Sequence, residues 1–359
     1  MSADAVNRGW IEVDLGAIVR NAEALRARSG VALIPMIKAD AYGLGAVEVA
    51  RALEKLHPLA YGVATVDEGA ELRTAGIERP IIVFTPLLSD DMEGARRANL
   101  IPTLGSAEQI AQWGRYGMPY DLAIDTGMAR AGIPWREIGK ILDVVKASPP
   151  HGAFTHFHSA NLNDSTMDEQ LARFEEAVSK LPVRPGVLHT DSSAAITRHG
   201  KSTWDAVRPG IFLYGVGSGQ GAGLEPECVV TMKAPIVETR WVEVGDTVSY
   251  EATWTAPARS CIATVALGYA DGYPRNASAG GVGVVRERVV RIAGRVTMDM
   301  IMLDVTEAGA ETGDIVTLIG DGSKAGAAID VSSVAEVAEM SPYELLTGLR
   351  GRIGRIYRA

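Results

Sequence analysis

The sequence predicts an α/β protein in which an N-terminal (β/α)8, TIM-like barrel is followed by a C-terminal, mostly-β domain. Eight short apolar runs rich in β-branched residues recur before Gly215, a few tens of residues apart. Amphipathic stretches with apolar residues at helical spacing fill most of the intervals. Beyond Gly215, strand patterns follow one another without helices between them. Alternating strands and helices of this number favour a closed barrel over a doubly wound open sheet.

The strands and helices of the predicted barrel follow in chain order. The strand runs are VALIPMIKA (31–39), YGVATV (61–66), IIVFT (81–85), IPTLG (101–105), YDLAID (120–125), HGAFTHF (151–157), GVLHTD (186–191) and VRPGIFLYG (207–215). Two helical patterns are AVEVARALEKL (46–56) and MDEQLARFEEAVSKL (167–181). In such a barrel the carboxyl ends of all strands meet at one face, and enzymes of this architecture place their sites there.

The chain changes character after Gly215. The segment GVGSGQGAGLEPE (215–227) lacks the GxGxxG spacing and opens no helix, so we interpret it as a linker or loop. We therefore predict a barrel domain in residues 1–228 and a β domain in residues 229–359. The N-terminal strand is a candidate strand of the β domain. The β domain has the strand candidates CIATVALGY (261–269), VVRIAGRVTMDMIMLDV (289–305) and DIVTLIG (314–320), then the short helical pattern DVSSVAEVAEM (330–340).

The composition disfavours several classes of function. The 359 residues include 35 Lys or Arg and 44 Asp or Glu, a formal charge of −9, which argues against nucleic acid and anionic membranes as partners. Cys228 and Cys261 fit no metal-binding spacing, and no run approaches the roughly 20 apolar residues of a membrane helix. The start MSADAVNRGW lacks the features of an export signal. We expect a cytoplasmic protein that acts on a small molecule.

Lys38 is the first candidate for chemistry. It ends the first predicted strand and enters the glycine-bounded turn KADAYGLG (38–45), at the active face of the predicted barrel. Lysine amines form Schiff bases with carbonyl compounds, pyridoxal phosphate among them. A solvated turn lysine is the alternative interpretation.

Donors for a phosphate group follow the seventh and eighth strands, where barrels commonly bind phosphate. Ser192 and Ser193 come after the seventh strand, and the amides of Gly210 and Ile211 come in the eighth run. A glycine lets an anion approach the backbone closely. Since a Ser-Ser pair can also merely cap a helix, the prediction depends on the joint placement of these residues opposite Lys38.

Two arginines could meet other parts of a cofactor or substrate. Arg208 begins the eighth loop, and beside a pyridine nitrogen its guanidinium would donate a hydrogen bond and leave that nitrogen unprotonated. Arg130, in the turn DTGMARAG (125–132), could bind an anionic oxygen or lie at the surface.

The histidines raise a rival interpretation, a metal-dependent hydrolase. His156 and His158 form an HxH pair at the end of the sixth strand, and His189 with nearby aspartates could complete a ligand set. The first strand, however, ends in Lys38 and not in a ligand, so we predict no metal.

Together these motifs resemble those of alanine racemase, over essentially the whole chain. They are, in the family's order, WIEVDLGAIVRNAEALR (10–26), KADAYGLG (38–45), IDTGMARAG (124–132), THF (155–157), HTDSSAA (189–195), VRPGIFLYG (207–215), GYADGYPR (268–275) and VTMD (296–299). The resemblance implies a barrel with a β domain, pyridoxal phosphate held as a Schiff base on Lys38, and a head-to-tail homodimer.

The resemblance also implies roles for single residues. Lys38 and Tyr269 of the second subunit would be the two bases that remove and return the Cα proton of an amino-acid substrate. The implied cofactor contacts are Lys38, Tyr42, His156, His189, Ser192, Ser193, Arg208, Gly210, Ile211 and Tyr343, and the implied substrate contacts are Arg130, Met298 and Asp299. The implied reaction interconverts L- and D-alanine and would supply D-alanine for peptidoglycan.

The chain departs from the family pattern at Ala123, where many members carry a lysine, often carbamylated, that positions the arginine of this turn. Arg130 therefore needs another anchor. Three rivals stay open: a racemase of broader amino-acid specificity, a pyridoxal-phosphate decarboxylase of similar architecture, and a non-catalytic binding protein. The decarboxylases carry a cysteine-led acidic motif that CVVT (228–231) and CIAT (261–264) do not match, and single-barrel binding proteins lack a second domain with a tyrosine base.

Overall fold

A computed structural model of the protein describes residues 8–162, 164–219 and 222–359. Two predictions fall partly on other positions. The expectation of no export signal concerns residues 1–7, and the linker prediction includes Gln220 and Gly221; these positions, like Asn163, lie outside the described residues.

The first ten strands include a parallel set that closes on itself. The strands are β1 (Trp10–Asp14), β2 (Ala32–Leu33), β3 (Tyr61–Val63), β4 (Ile81–Val83), β5 (Ile101–Leu104), β6 (Asp121–Asp125), β7 (Ile133–Pro134), β8 (Gly152–Phe154), β9 (Val187–Ser192) and β10 (Ala206–Arg208). Eight of them pair in the order β2-β10-β9-β8-β6-β5-β4-β3, and a parallel bridge between Met36 and Gly62 joins the two ends. Each overlaps one predicted strand, so the predicted barrel is confirmed.

Helices cover the outside of this barrel, and the second of them lies at its mouth. They are α1 (Leu15–Ser29), α2 (Lys38–Gly43), α3 (Ala46–Leu53), α4 (Val66–Thr74), α5 (Ser89–Arg97), α6 (Ala107–Gly114), α7 (Leu142–Ala147), α8 (Thr166–Ser179) and α9 (Ser193–His199), with α10 (Val331–Val337) and α11 (Pro342–Gly348) near the end of the chain. In α3 the buried residues Ala46, Val49, Ala50 and Leu53 recur at helical spacing, which explains why this segment packs on the barrel. No helix within the described ranges is long and apolar enough to cross a membrane.

The second part of the chain forms a mostly antiparallel sheet. The strands of this part are β11 (Val230–Val242), β12 (Thr247–Val248), β13 (Trp254–Thr255), β14 (Ser260–Val265), β15 (Val282–Val285), β16 (Arg288–Ile292), β17 (Ile301–Asp304), β18 (Ile315–Ile319) and β19 (Gly354–Arg358). Strands β12 and β13 pair only with each other, as a separate two-stranded sheet. The eight-stranded order is β14-β17-β16-β15-β18-β11-β1-β19, and β11 also pairs with β14. Strand β1 therefore lies in this sheet, antiparallel to β11 and parallel to β19.

One predicted strand of this sheet is wrong. The run 289–305 reads as a single alternating strand, but the structure divides it into β16 and β17, which pair with each other in antiparallel fashion. Gly294 lies between them with φ +82°, and a Cβ there would come 2.4 Å from the Val248 carbonyl oxygen. This conformation favours glycine and breaks the strand. Met298 and Asp299, predicted to lie in a strand, consequently fall in the turn before β17.

The fold brings the second part of the chain to the mouth of the barrel. Helix α11 packs against α2, and the Tyr42 and Tyr343 rings lie with their centroids 6.1 Å apart. The carboxyl ends of the barrel strands and one edge of the β domain therefore border the same space.

Candidate active site

A cavity of about 490 Å³ opens at the carboxyl ends of the barrel strands. Most of the predicted site residues line it: Lys38, Tyr42, Arg130, His156, Ser192, Ser193, Arg208, Gly210, Ile211 and Tyr343. A volume of this size accommodates a small organic ligand. The predicted residues outside its lining are His189, which lies buried behind Arg208, and Tyr269, Met298 and Asp299 on the β domain.

Lys38 enters the cavity from an unusual turn. Ala39, Asp40, Ala41 and Tyr42 have φ values between +52° and +57°, so α2 winds left-handed. Each non-glycine residue in this conformation costs about 1–2 kcal/mol. The Ala39 amide donates to Glu68 Oε1 at 2.8 Å, and the Ala46 amide donates to Asp40 Oδ1 at 2.8 Å. These two carboxylates hold the turn that orients Lys38.

The environment of Lys38 favours a neutral amine. Burial lowers the pKa of Lys38, and the positive charges of Arg130 and Arg208 lower it further, while Glu68 acts in the opposite direction. A neutral amine is the nucleophilic and proton-accepting form.

The serine and glycine residues after β9 and β10 form one wall of the cavity. Ser193 Oγ accepts hydrogen bonds from the Gly210 amide at 2.9 Å and the Phe212 amide at 3.4 Å, and Ser192 precedes α9. A Cβ on Gly210 would lie 2.6 Å from the Tyr42 hydroxyl. Glycine at this position therefore keeps a polar concavity open beside Ile211.

Tyr42 and Tyr343 form the aromatic side of the cavity. The Tyr42 ring packs on Tyr214 at 4.7 Å between centroids. Burial raises the pKa values of both Tyr42 and Tyr343. Their hydroxyls are therefore protonated and can donate hydrogen bonds at neutral pH.

Arg208 is held rigidly beneath the cavity. Its Nη1 donates to the His189 carbonyl and to His189 Nδ1, and its Nη2 donates to the carbonyls of Thr155 and Thr190. The guanidinium carbon also lies 5.2 Å from the centroid of the Phe154 ring. Burial lowers the pKa of Arg208 to about 10, so the group remains charged at neutral pH. Within the described residues Nε has no protein acceptor, which leaves it as the donor available to a ligand.

The two histidines of the HxH pair have different surroundings. His156 lines the cavity with Nδ1 3.4 Å from Arg208 Nη2, whereas His158 Nδ1 lies 2.6 Å from Ser159 Oγ at an exposed position. Burial, Arg208, Arg130 and Lys38 lower the pKa of His156 to about 3, so it is neutral. In the ranges that the structure describes, no three or more His, Cys, Asp or Glu side chains are grouped as a metal site.

Arg130 lies exposed at the rim of the cavity, near Ala123. Among the described residues its guanidinium has no hydrogen-bond or ion-pair partner. Within the described ranges, no side chain therefore anchors Arg130 in the way that the resemblance implies for a lysine at position 123.

Tyr269, Met298 and Asp299 lie together on the surface of the β domain. The Tyr269 amide donates to the Thr297 carbonyl at 3.0 Å, and the Ala270 amide donates to the Met298 carbonyl at 3.0 Å. Tyr269 is 40% and Met298 52% exposed. The structure brings these three predicted residues together, but not into the Lys38 cavity of the same chain.

Two buried carboxylates that support the site were missed by the sequence analysis. Asp271 accepts from the Gly268 amide and from Arg8 and Arg352, and so fixes the Tyr269 turn. Asp121 accepts from His189 behind Arg208. A carboxylate at the start of an otherwise apolar strand, as in YDLAID, was the available signal for Asp121, since a buried charge requires partners.

Comparison with known proteins agrees with this architecture. Residues 13–218 match the model of the alanine racemase N-terminal domain and residues 229–357 that of the C-terminal domain. The chain is 36% identical over 367 residues to an alanine racemase of Halothermothrix orenii, with 97% of this chain and 96% of that protein covered.

Solved structures give the same result. The alanine racemase of Streptomyces lavendulae superposes with a TM-score of 0.91 at 30% identity, covering 99% of this chain and 98% of the other. The Bartonella henselae enzyme, which was solved with covalently bound pyridoxal phosphate, superposes with a TM-score of 0.87 at 27% identity over 98% and 99% of the two chains. The chain belongs to the alanine racemase family.

Proposed function

We propose that the protein is a pyridoxal-phosphate-dependent alanine racemase that interconverts L- and D-alanine with two bases. One observation carries this proposal: Lys38, the Ser193–Gly210 wall and Arg208 line the same cavity. Family membership and the covalent cofactor of the Bartonella henselae relative support it.

The residues of the cavity fit this cofactor. A neutral lysine amine suits covalent attachment to an aldehyde. Ser192, Ser193 and the amides of Gly210 and Ile211 would hold the phosphate, and the protonated hydroxyls of Tyr42 and Tyr343 could donate to it. Arg208 Nε would face the ring nitrogen, with His189 and His156 holding the guanidinium in place.

When bound, pyridoxal phosphate acidifies the Cα–H bond of the attached amino acid by drawing electrons into its ring. The chain must then supply one base on each face of Cα. Lys38 would take or return the proton on one face through its Nζ, whose pKa is lowered by burial and by the two arginines. Tyr269 of a second copy would do so on the opposite face through its hydroxyl oxygen.

Arg208 would limit side reactions. A guanidinium beside the ring nitrogen donates a hydrogen bond without transferring its proton, so the ring withdraws electrons less strongly. Arg130, Met298 and Asp299 would contact the substrate. Because the residues that the structure describes give Arg130 no hydrogen-bond or ion-pair partner, a substrate carboxylate could itself be its ionic partner.

The assembly and cellular setting belong to the same proposal. We infer a head-to-tail homodimer, because Tyr269 lies outside the cavity of its own chain. We also infer a barrel domain in residues 1–228, whose N-terminal strand β1 joins the sheet of the second domain, and a β domain in residues 229–359. We further infer a cytoplasmic enzyme that provides D-alanine for cell-wall precursors. The free thiols of Cys228 and Cys261 agree with a reducing compartment.

The test combines spectroscopy with a stereochemical assay. The purified protein should absorb visible light as a lysine-bound pyridoxal chromophore. Reduction with borohydride should fix the pyridoxyl group to the protein, and peptide mapping should find it on Lys38. L-Alanine should lose optical activity more rapidly than larger amino acids do. A colourless protein that stays colourless with added pyridoxal phosphate would refute the proposal, whereas equal rates on many amino acids would indicate a broad-specificity racemase.

A further inference from the structure

Four side chains connect the Lys38 cavity to solvent through the interior of the barrel. Arg208 Nη1 donates to His189 Nδ1 at 2.8 Å, His189 Nε2 lies 3.0 Å from Asp121 Oδ2, and Asp121 Oδ1 lies 3.1 Å from His151 Nδ1. They belong to β10, β9 and β6 and to the residue before β8, which are neighbouring strands in the barrel order. From Arg208 to His151, the connected side chains lead from the carboxyl ends of the strands toward their amino ends.

This chain of hydrogen bonds is buried except at one end. Asp121 and His189 are fully buried and Arg208 is 4% exposed, whereas the His151 side chain is 42% exposed. A Cβ on Gly152 would lie 2.6 Å from Asp121 Oδ1, so glycine at that position leaves room for the carboxylate. The carboxylate of Asp121 thus links the buried and exposed ends.

The order of donors and acceptors is fixed. A guanidinium can only donate, so His189 Nδ1 must accept from Arg208 and the His189 proton must lie on Nε2. That N–H then donates to Asp121, which is the acceptor that selects this tautomer. A group at position 121 that donated to Nε2 would place the His189 proton on Nδ1, opposite an Arg208 donor.

We propose that Asp121 and His151 are positioning residues for Arg208, and that the protonation state of His151 is transmitted through Asp121 and His189 to the guanidinium in the cavity. The consequence for racemisation rests on the proposed function, but the connection itself does not. This proposal gives a role to Asp121 and His151, neither of which lines the cavity.

His151 is the member of this chain that can exchange a proton directly with solvent, because its side chain is 42% exposed. The hydrogen bond to Asp121 raises the pKa of His151, while burial lowers the pKa of His189. Burial raises the pKa of Asp121, but the hydrogen bonds from the two histidines outweigh this effect and leave it below its ordinary value. Among the described residues, Asp121 is the carboxylate within ion-pair distance of His151. The next titratable or charged groups along the chain of hydrogen bonds are His189 and Arg208.

The expected effect has a definite direction. When His151 loses its proton, the Asp121 charge is less compensated, so Asp121 accepts more strongly from His189 Nε2–H. Polarised in this way, His189 Nδ1 becomes a better acceptor for Arg208. The guanidinium is then held more firmly as pH rises through the titration of His151.

The test uses the purified protein labelled with ¹⁵N-histidine and long-range ¹H–¹⁵N NMR between pH 5 and 9. We expect His189 to keep its proton on Nε2 throughout and its nitrogen shifts to show one inflection that coincides with the titration of His151. In His151→Asn the inflection should be lost and the tautomer kept, because the amide can still donate to Asp121. The control His57→Asn, at an exposed histidine beside Arg79, should retain it. Flat His189 shifts in the wild type, or an inflection that survives His151→Asn, would overturn the inference.

A second variant separates this inference from the proposed function. In Asp121→Asn the His151 titration should move to lower pH by about one unit or more, because the charge that favours protonated His151 is removed. Unchanged titration would count against the link. If the wild type shows the His189 inflection but does not racemise alanine, the proposed function fails and the connection stands; if it racemises with flat His189 shifts, the reverse holds.

Discussion

The cavity of the barrel and the Tyr269 surface of the β domain carry the two predicted bases under opposite conditions. Lys38 lies in an enclosed cavity where burial and two arginines favour its neutral form. Tyr269 lies on the outside, 40% exposed, with Met298 and Asp299 beside it. Both turns are nevertheless fixed by carboxylates, Glu68 and Asp40 at Lys38, and Asp271 at Tyr269.

This difference shows that rigidity and enclosure have separate sources. A base that must be placed within a fraction of an ångström needs a rigid support, and each region provides one. Of these two regions the barrel side is the enclosed one: Lys38 lines a cavity, where fewer waters strengthen electrostatic effects, whereas Tyr269 lies on the surface. Under the proposed function, the β-domain surface supplies half of a site that a second copy would complete.

The largest expected effect is at the barrel side of the comparison. Lys38→Ala should remove the visible chromophore at the lysine and reduce racemisation in both directions by at least roughly 10³-fold, because it deletes the attachment point and one base. Absorbance and polarimetry measure the two effects. The control Lys55→Ala, at an exposed lysine, should leave both unchanged; a Lys38→Ala protein that still racemises alanine would show that the cavity base lies elsewhere.

On the β-domain side, Asp271→Asn should weaken the support of Tyr269. The change removes charge-assisted hydrogen bonds from Arg8 and Arg352 and should lower the free energy of unfolding by about 1–3 kcal/mol. Racemisation should fall as well, while the cofactor absorbance of the barrel stays the same. Urea titration and polarimetry measure these quantities, with Asp246→Asn in a surface turn as the control. Loss of the absorbance in this variant would contradict the separation of the two regions.

The smallest expected effect concerns the barrel cavity, where burial and the positive charges of Arg208, Arg130 and Lys38 disfavour a further positive charge on His156. Because the pKa of His156 is lowered to about 3 in the folded protein, the unfolded chain binds the extra proton first as pH falls below the ordinary histidine value. Stability from this residue is present at pH 7 and is lost progressively toward pH 3. Comparison of the wild type with His156→Gln by urea titration should show about 1–2 kcal/mol of this loss between pH 7 and pH 5. Parallel pH dependences of the two proteins would mean that His156 is not held neutral.

The sequence predicted the barrel better than the β domain for a physical reason. Buried parallel strands such as IIVFT are continuously apolar and are bounded by helical patterns, so their ends are readable. The run 289–305 alternates through β16, the turn and β17 alike, and only the local conformation at Gly294 reveals the break. Periodicity does not report a positive φ.

The site was predictable where a residue type determines the chemistry, and not where geometry does. Lys38 ends the first predicted strand, Ser193 follows the seventh, and Arg208 and Gly210 lie in the eighth predicted run; the structure brings all four to one cavity. The left-handed winding at residues 39–42 gives no sequence signal, since alanine and tyrosine have no preference for a positive φ. The contact between Asp121 and His151 depends on the register between β6 and β8, which the sequence does not specify.

The central claim is that a complete site needs Lys38 of one chain and Tyr269 of another, and mixing two inactive variants tests it most directly. Lys38→Ala and Tyr269→Phe proteins would be purified separately, combined in equal amounts under conditions that allow subunits to exchange, and assayed for loss of optical activity of L-alanine. Each mixed dimer would contain one intact site, so about a quarter of wild-type activity should appear. Activity that stays at the level of the separate variants, although mixed dimers have formed, would contradict the claim and place both bases in one chain.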